Sequence, residues 1–173
     1  MYEKRMHRVF LGLGSNVGDR RKNLVSALRI LDGMRDMEIR AVSSVYETEP
    51  WGVRNQPDFL NMVAMAFTVR DPRGVLDACK EVERELGRVR GERWGPRVID
   101  VDVLLYDDVI WEEDDFIIPH PRMLEREFVT VPLLELSPRV TVPGSGDLQD
   151  SAELRGENKV RRAFRFDEEE WHG

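Results

Sequence analysis

FLNMVAMAFT, residues 59–68, and DPRGVLDACKEVERELG, residues 71–87, predict a strand followed by a helix. The first stretch is rich in aromatic and β-branched residues, which favour strands. In the second, Asp71 can cap a helix, and Pro72 fits the first helical turn, where its missing N–H is harmless. Apolar residues then recur at helical spacing, so one stripe of this helix is expected to face a core.

Similar elements are predicted on both sides of this pair. We expect strands over residues 8–14, 38–48 and 98–106, and a first helix capped by Asp19 with an apolar stripe from Leu24 to Leu31. The order strand, helix, strand, strand, helix, strand is the split βαβ pattern. The predicted fold class is therefore α+β, a ferredoxin-like sandwich with helices packed on one face of an antiparallel sheet.

The chain is predicted to hold one domain and a short extension. Its 173 residues suffice for one hydrophobic core. We assign residues 1–143 to the main domain. The apolar pattern weakens from Gly144 onward, and residues 144–173 are expected to form a C-terminal extension, either a peripheral helix or a mobile tail. We also expect that the residues after Ser151 can be removed with the chemistry largely intact.

Composition restricts the partners of this protein. Hydrophobic residues make up 41% of the chain, charged residues make up 34%, and the formal net charge is −7. Because nucleic acids and anionic membranes attract positive proteins, we expect small-molecule partners and neither nucleic acid nor membrane. The single cysteine, Cys79, and the absence of an apolar leader predict a cytoplasmic location. A monomer is expected, and a dimer stays open.

An acidic pair, Asp100 and Asp102, lies inside an otherwise apolar strand. Alternation places both carboxylates on one face, together with Leu104 and Tyr106. Two neighbouring carboxylates repel each other unless a cation lies between them, and magnesium prefers such oxygen ligands. The alternative is that each aspartate pairs with an arginine of the preceding loop. The pair is a candidate magnesium site.

That preceding loop, RVRGERWGPR at residues 88–97, carries four arginines in an acidic protein. Arginine forks match phosphate oxygens, so the loop predicts a polyphosphate site. Trp94 suits stacking on a planar ligand, and it equally suits anchoring the loop to the core. A solvated charged loop is the alternative.

Four further residues are candidates for the same site. Phe59 and Asn61 share one strand face, where a ring beside an amide suits a flat heterocycle, although a core Phe and a structural Asn explain the pair as well. Glu83 falls in the apolar sector of its helix and needs a partner. His120, between two prolines, is either a phosphate donor or a structural residue.

Seven sequence blocks occur in an order that resembles the hydroxymethyldihydropterin pyrophosphokinases. They are LGSN (13–16), YETEPWG (46–52), QPDFLN (56–61), GRVR (87–90), RWGPR (93–97), DVD (100–102), and IPHP with REFV (118–121 and 126–129). The resemblance extends from the first strand to about Pro138.

The resemblance implies an ATP-dependent diphosphotransferase of folate biosynthesis. Such an enzyme transfers the β,γ-pyrophosphoryl group of ATP to 6-hydroxymethyl-7,8-dihydropterin and releases AMP, with two Mg²⁺ ions as cofactors. The implied catalytic residues are Arg88, Arg97, Asp100 and Asp102, of which the two aspartates bind the metal. The implied pterin-binding residues are Thr48, Trp51, Phe59, Asn61 and Phe128. The implied ATP-binding residues are Glu83, Arg88, Arg90, Trp94, Arg97, His120 and Arg126.

Two positions depart from the family pattern, and two other functions compete. Asp115 stands where some members carry a basic residue, and Pro121 replaces a tyrosine found in others. A palm-type nucleotidyltransferase also carries a carboxylate pair on a ferredoxin-like sheet, but it does not require the Phe59 and Asn61 pair. A non-catalytic ligand-binding module of this fold would leave the acidic pair and the arginine loop unexplained.

Overall fold

The computed structural model describes residues 4–50, 55–87, 97–152 and 160–172. The main sheet is built from β1 (His7–Ser15), β2 (Met37–Val42), β3 (Val45–Thr48), β4 (Phe59–Thr68), β5 (Asp100–Tyr106) and β10 (Arg161–Phe164). The helices are α1 (Arg20–Asp32), α2 (Pro72–Glu85), α3 (Glu127–Leu136), α4 (Leu148–Ser151) and α5 (Glu168–Trp171), with a 3-10 helix at Met123–Glu125. Two small hairpins pair β6 (Trp111–Glu113) with β7 (Phe116–Ile118) and β8 (Thr141–Val142) with β9 (Gly146–Asp147).

The main sheet is antiparallel, with the strand order β10, β3, β4, β1, β5. The central strand β1 pairs with β4 along its whole length, from His7 opposite Thr68 to Ser15 opposite Leu60. β2 pairs with the other end of β4, from Met37 opposite Thr68. The predicted α+β class, an antiparallel sheet with helices packed on it, is confirmed.

The two faces of the sheet carry different helices. α1 and α2 bury their apolar stripes against the face that presents Val9 and Leu11, and α3 packs on the opposite face against Phe10 and Val63. The predicted caps hold, since Asp19 accepts from the Lys22 N–H at 3.0 Å and the Asp71 side chain accepts from Gly74 at 2.7 Å. The cleft described below lies on the face on which α3 packs, where it is lined by Gly12, Gly14 and Asn61.

The strand predicted over residues 38–48 is interrupted at Ser43 and Ser44. The Ser43 hydroxyl donates to the Ser44 carbonyl at 2.8 Å and accepts from the Val63 N–H at 2.9 Å. The Ser44 N–H donates to Glu135 of α3 at 2.6 Å. These side-chain bonds replace part of the ladder, so β2 and β3 pair with separate parts of β4.

The predicted position of Tyr106 on the face of the acidic pair is wrong. The register of β5 against β1 shifts because Phe10 lies opposite Leu105 while Leu11 lies opposite Val103. The extra residue reverses the alternation beyond Leu104. Tyr106 accordingly packs in the core on the α1 and α2 face, and its hydroxyl donates to the Arg70 carbonyl at 2.7 Å.

The C-terminal stretch contributes to the sheet. β10 pairs with β3, and the short helix α5 that follows buries Trp171 against the core beneath α1. The sequence analysis predicted no strand here, and the domain boundary at residue 143 stays a prediction. Among the residues that the structure describes, no helix is both long and apolar enough to cross a membrane.

Candidate active site

Two glycines of β1 open the sheet surface beside α3. Gly14 lies between Asn61 of β4 and Asp100 of β5, and Gly12 lies opposite Asp102. Alternation turns the side chains of all three partners to the face on which α3 packs. Because neither glycine has a side chain, the central strand leaves a floor between the amide on one side and the two carboxylates on the other.

A cleft stands over this floor, and its empty volume is about 760 Å³ when the solvent at its mouth is included. Its walls come from β1, β3, β4, β5 and the start of α3. The predicted site residues that line it are Thr48, Phe59, Asn61, Arg97, Asp100, Asp102, Arg126 and Phe128. The structure thus brings eight of the predicted residues into one cavity.

The side of the cleft at β3 and β4 contains a buried polar pair. The Asn61 Nδ2 donates to the Thr48 hydroxyl at 2.7 Å, and both residues are buried. This bond orients the amide, whose Oδ1 lies 2.7 Å from the position that a Cβ on Gly14 would occupy. Phe59, opposite Thr48 in the ladder, and Phe128 of α3 also line the cavity. An oriented amide in a cavity that two aromatic rings also line suits a flat heterocycle with polar edges.

The other side of the cleft is charged. Asp100 and Asp102 face it from β5, and Arg97 and Arg126 also line it. Burial lowers the pKa of Arg126, while the carboxylates of Asp102 and Asp100 act in the opposite direction and favour its charged form. The guanidinium of Arg126 lies 5.6 Å from the ring centre of Phe128, so it lies at the boundary between the charged and aromatic sides.

The acidic pair offers carboxylate oxygens that a metal ion could use. In the described part of the chain, no three or more His, Cys, Asp or Glu side chains gather in an arrangement that could hold a metal ion. Asp100 and Asp102 supply carboxylate oxygens on the cleft face. Mg²⁺ characteristically takes one or two carboxylates and fills its other positions with water and phosphate oxygens. The residues therefore fit magnesium that arrives with a phosphate ligand.

Asn16 is a buried residue that the sequence analysis did not select. Its Nδ2 donates to the Gln56 side chain at 2.9 Å and to the Pro57 carbonyl at 3.1 Å. Its Oδ1 accepts from the Arg97 N–H at 2.7 Å, and its own N–H donates to the Arg97 carbonyl at 3.0 Å. Asn16 thus ties the chain before β4 to the chain before β5, next to the cleft. The LGSN block contained this residue, but its partners are distant in sequence.

Glu83 lies behind the acidic strand. It is buried on α2, and its Oε2 accepts from the Val101 N–H at 3.3 Å, which fixes α2 against β5. Burial, with Asp102 and Glu83 nearby, raises the pKa of the Cys79 thiol far above its usual value. Cys79 is therefore an uncharged core residue, and Glu83 is not among the residues that line the cleft.

His120 is neutral at physiological pH. Its ring Nδ1 accepts from the Arg122 backbone N–H at 3.3 Å, and its backbone N–H donates to the Leu104 carbonyl at 3.0 Å. Burial, and to a smaller extent Arg126 and Arg122, lower the pKa of His120 to about 4. The proton therefore lies on Nε2, which is available as a neutral donor. His120 is not among the lining residues of the cleft.

This pKa predicts a loss of stability in acid. An unfolded histidine titrates near 6.5, and the folded value is about 4, so acid favours the unfolded state between these values. We expect His120 to cost up to about 3 kcal/mol of folding free energy as pH falls from about 6.5 to about 4. His120→Asn keeps an acceptor for Arg122 and does not titrate. Urea unfolding at pH 7.5 and 4.5 should show a smaller acid loss in this variant than in the wild type, and equal losses would contradict the assignment.

Four of the predicted site residues cannot be compared with the cleft, and one departure from the family pattern lies elsewhere. Trp51, Arg88, Arg90 and Trp94 lie outside the described residues. Asp115, one of the departures from the family pattern, lies on the hairpin of β6 and β7, where it accepts from Arg73 at 3.3 Å. That hydrogen bond and charge lower the pKa of Asp115.

A carboxylate pair and two arginines beside an aromatic, amide-lined cavity suit a transferase that handles phosphorylated small molecules. The sequence model of the family described as "7,8-dihydro-6-hydroxymethylpterin-pyrophosphokinase (HPPK)" matches residues 10–138. The chain belongs to this pyrophosphokinase family, and with it to the transferases.

Two curated proteins and one solved structure are similar to this chain. The chain is 42% identical over 139 residues to the 2-amino-4-hydroxy-6-hydroxymethyldihydropteridine pyrophosphokinase of Methylorubrum extorquens, covering 80% of this chain and 88% of that protein. It is 38% identical over 168 residues to the folic acid synthesis protein fol1 of Schizosaccharomyces pombe, covering 96% of this chain and 23% of that protein. The Plasmodium falciparum HPPK-DHPS wild type with SDX-DHP has the same fold, with a TM-score of 0.67 at 16% identity, covering 88% of this chain and 45% of that one. This chain therefore spans less than half of the Plasmodium protein.

Proposed function

We propose that the protein transfers the β,γ-pyrophosphoryl group of ATP to 6-hydroxymethyl-7,8-dihydropterin, giving the pterin diphosphate and AMP in folate biosynthesis. The observation that carries the proposal is the cleft itself, in which the oriented amide of Asn61 and the carboxylates of Asp100 and Asp102 flank the same two glycines. A heterocycle on one side and a triphosphate on the other would place an alcohol next to a phosphorus atom. Neither a heterocycle site nor a triphosphate site alone would require the amide and the carboxylates in one cleft.

The finer architecture is part of this proposal. We assign the fold to the ferredoxin-like sandwiches, supported by β1, α1, β4, α2 and β5 with β2 and β3 in the remaining strand position. We keep residues 1–143 as the catalytic domain. The partners are the pterin alcohol and ATP, and a monomer in the cytoplasm remains the expected state.

The pterin binds, in this proposal, on the side of β3 and β4. Asn61 reads the polar edge of the ring, held in orientation by Thr48, and Phe59 and Phe128 cover the ring faces. Because Thr48 and Asn61 are buried, a ring edge that does not match them would lose its hydrogen-bond partner and bind weakly. Trp51 joins this side by resemblance to the family.

ATP binds on the charged side. Arg97 and Arg126 would donate to phosphate oxygens, and Asp100 and Asp102 would hold two Mg²⁺ ions that neutralise phosphate charge when bound. His120 would donate from its neutral Nε2, and Glu83 holds α2 against the acidic strand. Arg88, Arg90 and Trp94 contribute by resemblance.

Positioning and charge compensation carry the reaction in this proposal. The arginines hold the triphosphate while Asn61 and the two phenylalanines hold the alcohol, so the reacting atoms meet within one cavity. Loose phosphoryl transition states need little covalent help from the protein, and the cleft supplies fixed charges where phosphate charge changes.

Product analysis tests the proposed function. The protein is incubated with ATP, Mg²⁺ and the pterin alcohol, and AMP and pterin diphosphate should appear in equal amounts. A matched control uses the 6-methyl pterin, which lacks the attacking hydroxyl and should release no AMP. Formation of ADP, or of AMP with the 6-methyl compound at the same rate, would contradict the proposal.

The two sides of the cleft should respond differently to mutation. Asn61→Ala and Phe59→Ala are each expected to weaken pterin binding about tenfold, because a buried ring loses a hydrogen-bond partner or a stacking surface. ATP affinity should change less than about twofold, because residues that are distant from each other and share no partner act nearly independently. Calorimetric titration with each ligand separately measures both quantities. Equal losses for the two ligands would indicate general damage to the core.

A further inference from the structure

The C-terminal strand β10 supports the strand that carries Thr48. Arg161 lies opposite Glu47, and Arg162 lies opposite Tyr46. Without β10, the four-residue β3 would be an edge strand held to the sheet by β4 alone. Short edge strands open easily, so β10 is placed to stabilise β3.

Two arginines also hold the ends of the connection between β3 and β4. Arg161 donates to Glu47 at 3.0 Å and lies 3.7 Å from the Asp58 carboxylate. Arg20 of α1 lies 3.2 Å from Glu47 and donates to the Asp58 carbonyl at 3.0 Å. Glu47 directly precedes Thr48, and Asp58 directly precedes the site residue Phe59. The four charged residues therefore join where the chain leaves β3 and where it returns at β4.

The end of the chain anchors this arrangement to α1. The guanidinium of Arg21 lies 5.3 Å from the ring centre of Phe164 and 4.9 Å from that of Phe166. Arg21 also pairs with Glu170, and Trp171 is buried in the core. β10 is thereby fixed by α1 on one side and by β3 on the other.

We propose that β10 is a positioning element for the pterin side of the cleft, in which Arg161 acts through Glu47 and Asp58 to hold Thr48 and Phe59 at their binding positions. The proposal rests on the proposed function for the identity of the ligand, and the brace itself does not depend on it. Within the described part of the chain, Arg161 contacts Glu47 and Asp58, which lie next to Thr48 and Phe59 on the pterin side of the cleft. Its effect is therefore confined to the heteroaromatic substrate.

This inference opposes the expectation that residues after Ser151 can be removed freely. Such a truncation deletes β10 and α5, and with them the outer partner of β3. A truncated protein could lose activity through general unfolding, so single substitutions at the exposed Arg161 give the sharper test.

Steady-state kinetics separate the two substrates. Arg161→Ala and Glu47→Gln are each expected to raise the pterin KM about fivefold, the scale of a networked, partly exposed ion pair. The KM for ATP and kcat should stay within about twofold of wild type. Because both substitutions remove the same ion pair, the double variant should have about the same pterin KM as either single variant. Arg161→Lys should restore most of the pterin KM. Added salt should reduce the difference between Arg161→Ala and wild type, because the pair is exposed to solvent.

The control is Arg165→Ala, which removes an exposed arginine near the end of the same segment and should change neither KM. Hydrogen exchange on the free proteins gives a readout that does not require turnover. In Arg161→Ala, the amides of residues 46–48 and 59–61 should exchange about fivefold faster, because the same ion pair with Glu47 is lost. The exchange of residues 100–104 should stay unchanged.

The two readouts must change together. Faster exchange with an unchanged pterin KM would make β10 a structural strand only, and a raised KM with unchanged exchange would rule out bracing. Equal rises in both KM values would indicate general destabilisation and overturn the proposal. A wild type without transferase activity contradicts the proposed function, and the exchange comparison then still decides whether Arg161 braces β3.

Discussion

Asp100→Ala and Asp102→Ala are each expected to lower turnover about 1,000-fold, which corresponds to about 4 kcal/mol in the activation barrier. Both side chains lie on the cleft face, each opposite a glycine. Their neighbours Val101 and Val103 point to the other face and pack in the hydrophobic core, so replacing the aspartates should leave the core intact. Loss of either carboxylate removes a ligand from a site that has few protein ligands to spare. AMP release under saturating ATP, Mg²⁺ and pterin alcohol measures the effect.

The matched control for this pair is Asp108→Ala. Asp108 is an exposed aspartate in the turn that follows the same strand, at the end away from the two glycines. It should keep wild-type turnover, and circular dichroism with thermal unfolding should show that all three variants stay folded. Near-normal turnover in either Asp100→Ala or Asp102→Ala would refute the magnesium site.

Gly14→Ala is expected to weaken pterin binding by about 30-fold, more than loss of the Asn61 side chain alone, because the amide that the new methyl group displaces loses its orientation and is pushed into the space for the pterin. A Cβ at this position would lie 2.7 Å from the Asn61 Oδ1, well inside contact distance. The Asn61 side chain would have to leave its 2.7 Å hydrogen bond with Thr48. Calorimetric titration of the pterin measures the loss.

A double variant separates this steric effect from damage to β1. In Gly14→Ala combined with Asn61→Ala, the clash partner is gone, and the next atom near the new Cβ is Phe59 Cδ1 at 3.7 Å, an ordinary contact. The double variant should therefore bind the pterin no more weakly than Asn61→Ala alone. Additive losses would show that an alanine at position 14 harms the strand by itself.

The sequence was enough to predict those helices and strands whose start, end and composition are set by neighbouring residues. Asp19 and Asp71 cap their helices as predicted, and β4 has the predicted bounds because its composition and its flanking residues both favour a strand. Family membership also followed from sequence, since seven short blocks in one order are specific. The shared face of Asp100 and Asp102 needed only strand alternation over two residues.

Predictions failed where a partner distant in sequence controls the backbone. The bulge at Leu104 arises from pairing with β1, and nothing within β5 announces it, so Tyr106 was placed on the wrong face. The break at Ser43 depends on hydrogen bonds with Val63 and with Glu135 on α3. Both features arise from tertiary packing, which the alternation of apolar and polar residues along a strand does not reveal.

The same reason explains the parts of the site that only the structure revealed. β10 begins with two arginines and has a weak apolar pattern, which is usual for an edge strand, so its pairing with β3 could not be predicted from composition. Asn16 holds Gln56 and Arg97, which lie 40 and 81 residues away.

The amino-acid sequence by itself determined the family, the helix caps, the main strands and the chemical types of the site residues, because these depend on short stretches of chain. The tertiary structure alone decided that Gly12 and Gly14 form a floor between Asn61 and the acidic pair, because strand register joins residues from three separate strands. It also decided that the end of the chain braces β3 through Arg161 and Glu47, since that contact closes a span of 114 residues.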